Sequence, residues 1–177
     1  MLAPSEPSNL RDPIVVAAMV VAFAGTATLL GAWFFQYALG LAPCPLCLQQ
    51  RIPYYIAVPL AVILALAAPR GVSRTLLCAG LGVLALLLLV GAGLGAYHAG
   101  AEWKWWPGPQ DCAGAGFTPG VSGSLLQQMQ TARVVRCDEA AWRFLGLSLA
   151  GYNVLISLGL AAIVASGMLA HRRPARI

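Results

Sequence analysis

The sequence predicts an all-α fold, an integral membrane four-helix bundle with a long outer loop between its third and fourth helices. Two observations predict it. Of 177 residues, 59% are hydrophobic and only 10% charged, against about 25% charged in an ordinary soluble domain, and mean hydropathy is +0.76. Four apolar runs, each about as long as a membrane crossing requires, punctuate the chain. A soluble globule of this size needs more polar surface to face water, and disorder needs low hydrophobicity with high net charge. Long uninterrupted runs read as helices, which satisfy their own backbone polar groups in lipid, whereas a β-barrel shows short alternating segments.

The runs are residues 14–37, 48–68, 76–97 and 145–170, in a single domain. The first carries no charge. Ala22-Phe23-Ala24 resembles a signal-peptidase site, but Glu6, Arg11 and Asp12 make the preceding stretch non-basic and the apolar run continues past it, which favours a retained helix. The second run has one charge, Arg51, near its start; the third is almost pure Leu, Val, Gly and Ala; the fourth carries Asn153, a polar group costly in lipid that needs a partner on a neighbouring helix. Basic residues in short segments set orientation. Arg70 and Arg74 in the 69–75 loop and Arg172, Arg173 and Arg176 in the tail place both termini in the cytoplasm. The 39–43 turn and the loop 99–142 then face outward. In that loop Glu102–Trp106 reads as a short helix lying on the outer interface, with three tryptophans around a snorkelling Lys104, and Pro107-Gly108-Pro109 turns the chain away from the membrane.

This topology sorts the five cysteines. Cys44, Cys47, Cys112 and Cys137 lie outside, where oxidising conditions permit disulfides, and Cys78 lies near the cytoplasmic end of the third run as a small apolar residue. Cys44-Pro45-Leu46-Cys47 closes too short a loop for a useful structural staple, so the spacing leans toward redox or metal chemistry. Pro45 suits the first helical position, which sets Cys47 in the first turn, where free N–H groups and the helix dipole stabilise a thiolate. Arg51, four residues on, shares that helix face. Alone it reads equally well as a snorkelling anchor; beside a CxxC the functional reading gains. Cys112 and Cys137, 25 residues apart, would as a bridge staple the outer loop by roughly 3 kcal/mol. A second pair on the same face makes disulfide exchange the competing reading. Four-thiolate zinc sites combine two short-spaced pairs, which these four cysteines do not form, and no metal is expected.

The pattern is similar to that of a known family, the quinone-linked membrane disulfide oxidase DsbB of bacterial inner membranes. The resemblance rests on Cys44-Pro45-Leu46-Cys47 with Gln50-Arg51, Tyr97-His98, Glu102 to Pro109, Cys112, Cys137-Asp138-Glu139, Trp142, Phe144-Leu145-Gly146, Ser148 and Ala150 to Asn153. It implies catalytic roles for Cys44, Cys47, Cys112 and Cys137. A periplasmic thioredoxin-like partner of DsbA type would attack Cys112, the released Cys137 would attack Cys44, and the freed Cys47 would deliver electrons to quinone (ubiquinone or menaquinone) beside Arg51. His98, in a region where the family has a histidine near the quinone, would hydrogen-bond a quinone oxygen. Partners would be the membrane quinone pool and the bilayer, with no nucleic acid. Relatives carry an acidic residue where this chain has Gln50, so that carboxylate's role does not transfer. The rival functions are a conduit delivering reducing power outward, which a lone Cys78 on the inner side cannot serve, and a non-enzymatic module with structural disulfides.

Overall fold

In a computed structural model of the protein, the described residues are 12–109 and 137–172. Four helices are long and apolar enough to cross a membrane, at Pro13–Ala38, Pro45–Arg70, Arg74–Glu102 and Leu149–Ala170. The protein is an all-α, multi-pass membrane protein. Helix α1 (Pro13–Trp33) starts at Asp12, whose carboxylate accepts the Ile14 N–H at 2.9 Å, and widens into a π turn at Phe34–Ala38. The second span is broken. A five-residue α2 (Pro45–Gln49) and the longer α3 (Ile52–Ala67) meet at a turn through Gln50 and Arg51. After a 3₁₀ turn at Ala68–Arg70, Gly71 takes a left-handed φ of 77° to reverse the chain. Then α4 (Arg74–Glu102) and α5 (Leu149–Arg172) complete the set.

The helices pack in a ring, α1 against α3, α3 against α4, α4 against α5 and α5 against α1. Ile14, Val21, Ala57, Leu81, Leu84, Leu88 and Val164 fill the centre. The outside is also apolar: Phe23, Leu30, Ile63, Leu86 and Leu155 are all more than half exposed. A protein facing water on all sides would not present such side chains on every span, and lipid is the solvent they fit. Close approach of α4 and α5 depends on Gly95, where an added Cβ would lie 2.9 Å from Val154 Cγ2 and 3.3 Å from the Ala150 carbonyl oxygen.

Three expectations are corrected. The third helix does not stop at Tyr97 but runs to Glu102, which brings His98 inside it. Residues 103–106 are a turn rather than a surface helix; Lys104 sits at φ 62°, and Trp106 folds back to stack on Tyr97 and donate to its carbonyl at 2.9 Å. The fourth helix starts at Leu149, because residues 143–148 form a two-stranded hairpin pairing Phe144 with Leu147. Its tip is Leu145 and Gly146, both at positive φ, the twist that two-residue hairpins favour.

Candidate redox site

The outer end of the bundle holds the site. Cys44 is extended and caps α2, its Sγ accepting the Cys47 N–H at 3.3 Å, with Pro45 at the first helical position. The two sulfurs are free thiols 3.1 Å apart. Cys137 is buried on Cys44 and Leu46, with Cys47 against the cluster. Three of the four sequence-identified cysteines therefore meet; Cys112 lies outside the described residues. Burial pushes the Cys137 thiol up. Cys44 is pushed up to about 12, first by its hydrogen bond to Cys47 and then by burial, while contact with His98 acts the other way. The segment carrying Cys137 is tied to the 103–106 turn by Lys104 Nζ, 2.7 Å from Asp138 Oδ2 and 2.9 Å from the Asp138 carbonyl oxygen. Lys104 is exposed, so this pair positions more than it stabilises.

Beside Cys47, Arg51 donates to Gln36 Oε1 at 2.6 Å and to the Ala32 carbonyl at 3.5 Å, both on the first span. Together Cys47 and Arg51 edge a cavity of about 650 Å³ walled by α1 (Ala24, Thr28) and its π turn (Phe35), α3 (Tyr54), α5 (Leu149, Ile156) and the aromatic pair Trp142 and Phe144. A second cavity, lined by Cys44, Cys47, His98, Glu102 and Glu139, adjoins the first and shares Leu41, Ala42 and Trp142 with it. Cys47 borders both.

A free CxxC at a helix start, a third buried cysteine on it and an apolar cavity beside it on a four-span bundle define one arrangement. The family described as Disulfide bond formation protein DsbB matches residues 15–167. The chain belongs to the DsbB family. Curated relatives named Disulfide bond formation protein B include one from Marinobacter nauticus, 36% identical over 141 residues (73% of this chain, 79% of the relative). One from Xanthomonas campestris pv. campestris is 32% identical over 171 residues (91% and 94%), and one from Polaromonas sp. is 30% identical over 166 residues (87% and 91%). No solved structure matches. Disulfide bond formation is thus the family's activity.

In this DsbB-family chain His98 does not line the cavity beside Arg51. Its Nε2 lies 3.6 Å from Cys44 Sγ and 3.6 Å from Glu102 Oε1, and its Nδ1 lies 2.7 Å from Gln50 Nε2. Gln50 Oε1 accepts from Asn153 Nδ2 at 2.7 Å, Asn153 Oδ1 accepts from Ser157 at 3.4 Å, and Ser157 bonds Tyr54 OH at 2.7 Å. This chain of polar groups crosses α3, α4 and α5. Asn153 thus finds the partners its position in lipid requires, on both neighbouring helices. Glu102 is 7% exposed, and among the described residues its Oε2 has no hydrogen-bond partner. Gln36, Glu102, Ser157 and Tyr54 did not stand out in the sequence. For Glu102 and Ser157 a signal was present as polar residues four apart on one helix, His98 with Glu102 and Asn153 with Ser157.

Proposed function

We propose that the protein reoxidises a soluble periplasmic thioredoxin-like disulfide donor of DsbA type and passes the electrons to membrane quinone, from the bacterial inner membrane with its cysteine loops periplasmic. The observation that carries this reading is the apolar cavity edged by one sulfur of the CxxC and one guanidinium. A quinone is a flat apolar ring with carbonyl acceptors. Apolar walls, an aromatic pair and the N–H donors that Arg51 keeps beyond its bonds to Gln36 and Ala32 suit that chemistry. When bound, quinone supplies the sink for two electrons and two protons.

The chain's own residues do the rest. A partner thiolate attacks Cys112, forming a mixed disulfide and releasing Cys137 as a thiolate. Cys137, packed on Cys44, attacks it; the Cys44–Cys137 bond forms, the Cys44–Cys47 bond breaks and Cys47 leaves as a thiolate at the helix start, where N–H groups and dipole favour the anion. The partner's second thiol resolves the mixed disulfide and frees Cys112. Cys112 attacks Cys137, expelling Cys44 as a thiolate, and Cys44 rejoins Cys47 as the electron pair departs. One partner disulfide forms per pair of electrons delivered. The test mixes purified protein, reduced partner and a soluble quinone and follows quinone absorbance. Bleaching that requires both protein and partner supports the reading; partner oxidation with no quinone consumed overturns it.

A further inference from the structure

Two amides stand in series behind His98, Gln50 against the ring and Asn153 against Gln50, and each is oriented by a group that can only accept. Gln50 lies 3.3 Å from the Leu46 carbonyl oxygen, so the amide edge turned there is the NH₂. The same NH₂ meets His98 Nδ1 at 2.7 Å. Asn153 lies 3.4 Å from the Gly91 carbonyl oxygen, which likewise sets its NH₂, and that NH₂ donates to Gln50 Oε1. Neither amide can turn over without setting oxygen against oxygen at a backbone carbonyl. A ring nitrogen that receives a donor must be the unprotonated one. Nδ1 is therefore the acceptor and the ring proton sits on Nε2, facing Cys44 Sγ and Glu102 Oε1.

We propose that Gln50 and Asn153 are positioning residues that hold His98 as its Nε2–H tautomer, so that the neutral ring donates a hydrogen bond to Cys44 Sγ whenever that sulfur leaves a disulfide as a thiolate. This rests on the exchange scheme above, in which Cys44 departs when Cys112 attacks Cys137: the S–S bond to Cys137 breaks, its electron pair stays on Cys44, and the ring N–H shares that charge without giving up its proton. The need is specific to Cys44. Its sulfur is buried at the helix cap, and burial disfavours the thiolate that must leave. Cys47 has the helix start for this purpose; Cys44, as the capping residue, lies outside the first turn and has His98. Cys44, Cys47 and His98 also place three ligand-type atoms within 4.8 Å of one another, but a protonated Nε2 has no lone pair to offer a metal. The same wiring separates the two roles.

The titratable groups around the ring, among the described residues, are Cys44 and Cys47 at the start of α2, Glu102 on its own helix, and Cys137 and Glu139 from the segment before the hairpin. From α3 and α5 come only Tyr54, Asn153 and Ser157 through the chain of hydrogen bonds. With Gln50 in place, donation to Cys44 requires no titration of the ring. In Gln50→Glu, a carboxylate would take a proton from Nδ1, and Nε2 would carry one only while the ring is imidazolium.

The experiment uses the reduced full-length chain labelled with ¹⁵N-histidine, with His171→Gln to leave one imidazole signal. The expected spectrum has a pyrrole-type Nε2 and a pyridine-type Nδ1 in the resting protein, with no partner or quinone added. Gln50→Met should populate both tautomers and lower kcat by about tenfold or more, the scale of one lost hydrogen bond to a charged sulfur, with the quinone KM unchanged. Turnover of Gln50→Glu relative to the parent should fall as pH rises from about 6 to about 9, across the imidazole range. A proton on Nδ1 in the parent overturns the proposal even if every variant misfolds. A correct tautomer with a flat Gln50→Glu ratio overturns the catalytic role. A correct tautomer in a protein that consumes no quinone would instead count against the electron acceptor proposed above.

Discussion

At the scale of single residues, the two sulfurs of the CxxC are unlike because of their neighbours. Cys44 gives its S–H to Cys47 and is buried, so its thiol is pushed up to about 12. Removing the first of those causes in Cys47→Ala should bring the pH midpoint for alkylating Cys44 down toward the ordinary thiol value near ~8.5, which mass spectrometry of alkylated peptides reads directly. The sign for stability follows. A thiol raised in the fold favours the folded state below the ordinary thiol value, and that contribution is lost as pH climbs from there toward about 12. Reduced protein should therefore melt at lower temperature at alkaline pH, and less so in Cys47→Ala. Arg51→Ala removes donors from the cavity wall and frees Gln36. The expected result is a quinone KM raised roughly tenfold, about 1.4 kcal/mol, with reaction of the partner at Cys112 nearly normal. Arg51→Lys should recover part of this, because it keeps the charge but not the planar fork. An unchanged KM in Arg51→Ala would reduce Arg51 to an anchor. Cys44, Cys47 and Arg51 were legible in the sequence because their relations are local, within one turn. Gln36 and Gln50 take their meaning from contacts across helices, which no spacing within one helix specifies.

Among the elements, hydropathy located all four spans, because lipid imposes a length on any apolar helix. It could not locate the break at Gln50 and Arg51, the end of α4 or the hairpin at 143–148. The break hides because its residues pair with other helices, and α4 overruns its apolar stretch because His98 finds its partners in the site rather than in water, with Glu102 one turn on facing the ring. Gly95 tests the packing that holds the polar chain together. Its added methyl would fall 3.2 Å from Asn153 Nδ2 and tighter still against Val154. Gly95→Ala should destabilise by about 1–3 kcal/mol, the usual cost of overpacking, and should reduce activity along with it, whereas Gly93→Ala, which meets nothing within 4 Å, should do neither. Thermal melts in detergent distinguish the two. The cap predicts a smaller effect. Cys44→Ser keeps an acceptor for the Cys47 N–H, and Cys44→Ala loses it at a cost of about 1 kcal/mol.

For the whole molecule, the basic short loop and tail predict that a reporter active only in the cytoplasm works when fused after Ile177. If an export-dependent reporter works there instead, the orientation is inverted. Cys78, half-buried on α4 away from the site, should tolerate Cys78→Ser with full turnover. The two cavities have a consequence at this scale. Cys47 borders both, and Cys44 borders only the polar one. Cys47 thus sits where an apolar compartment meets a more polar one. On the function proposed above, an oxidant dissolved in fat and a reductant dissolved in water would meet at one sulfur, each arriving through the solvent that suits it.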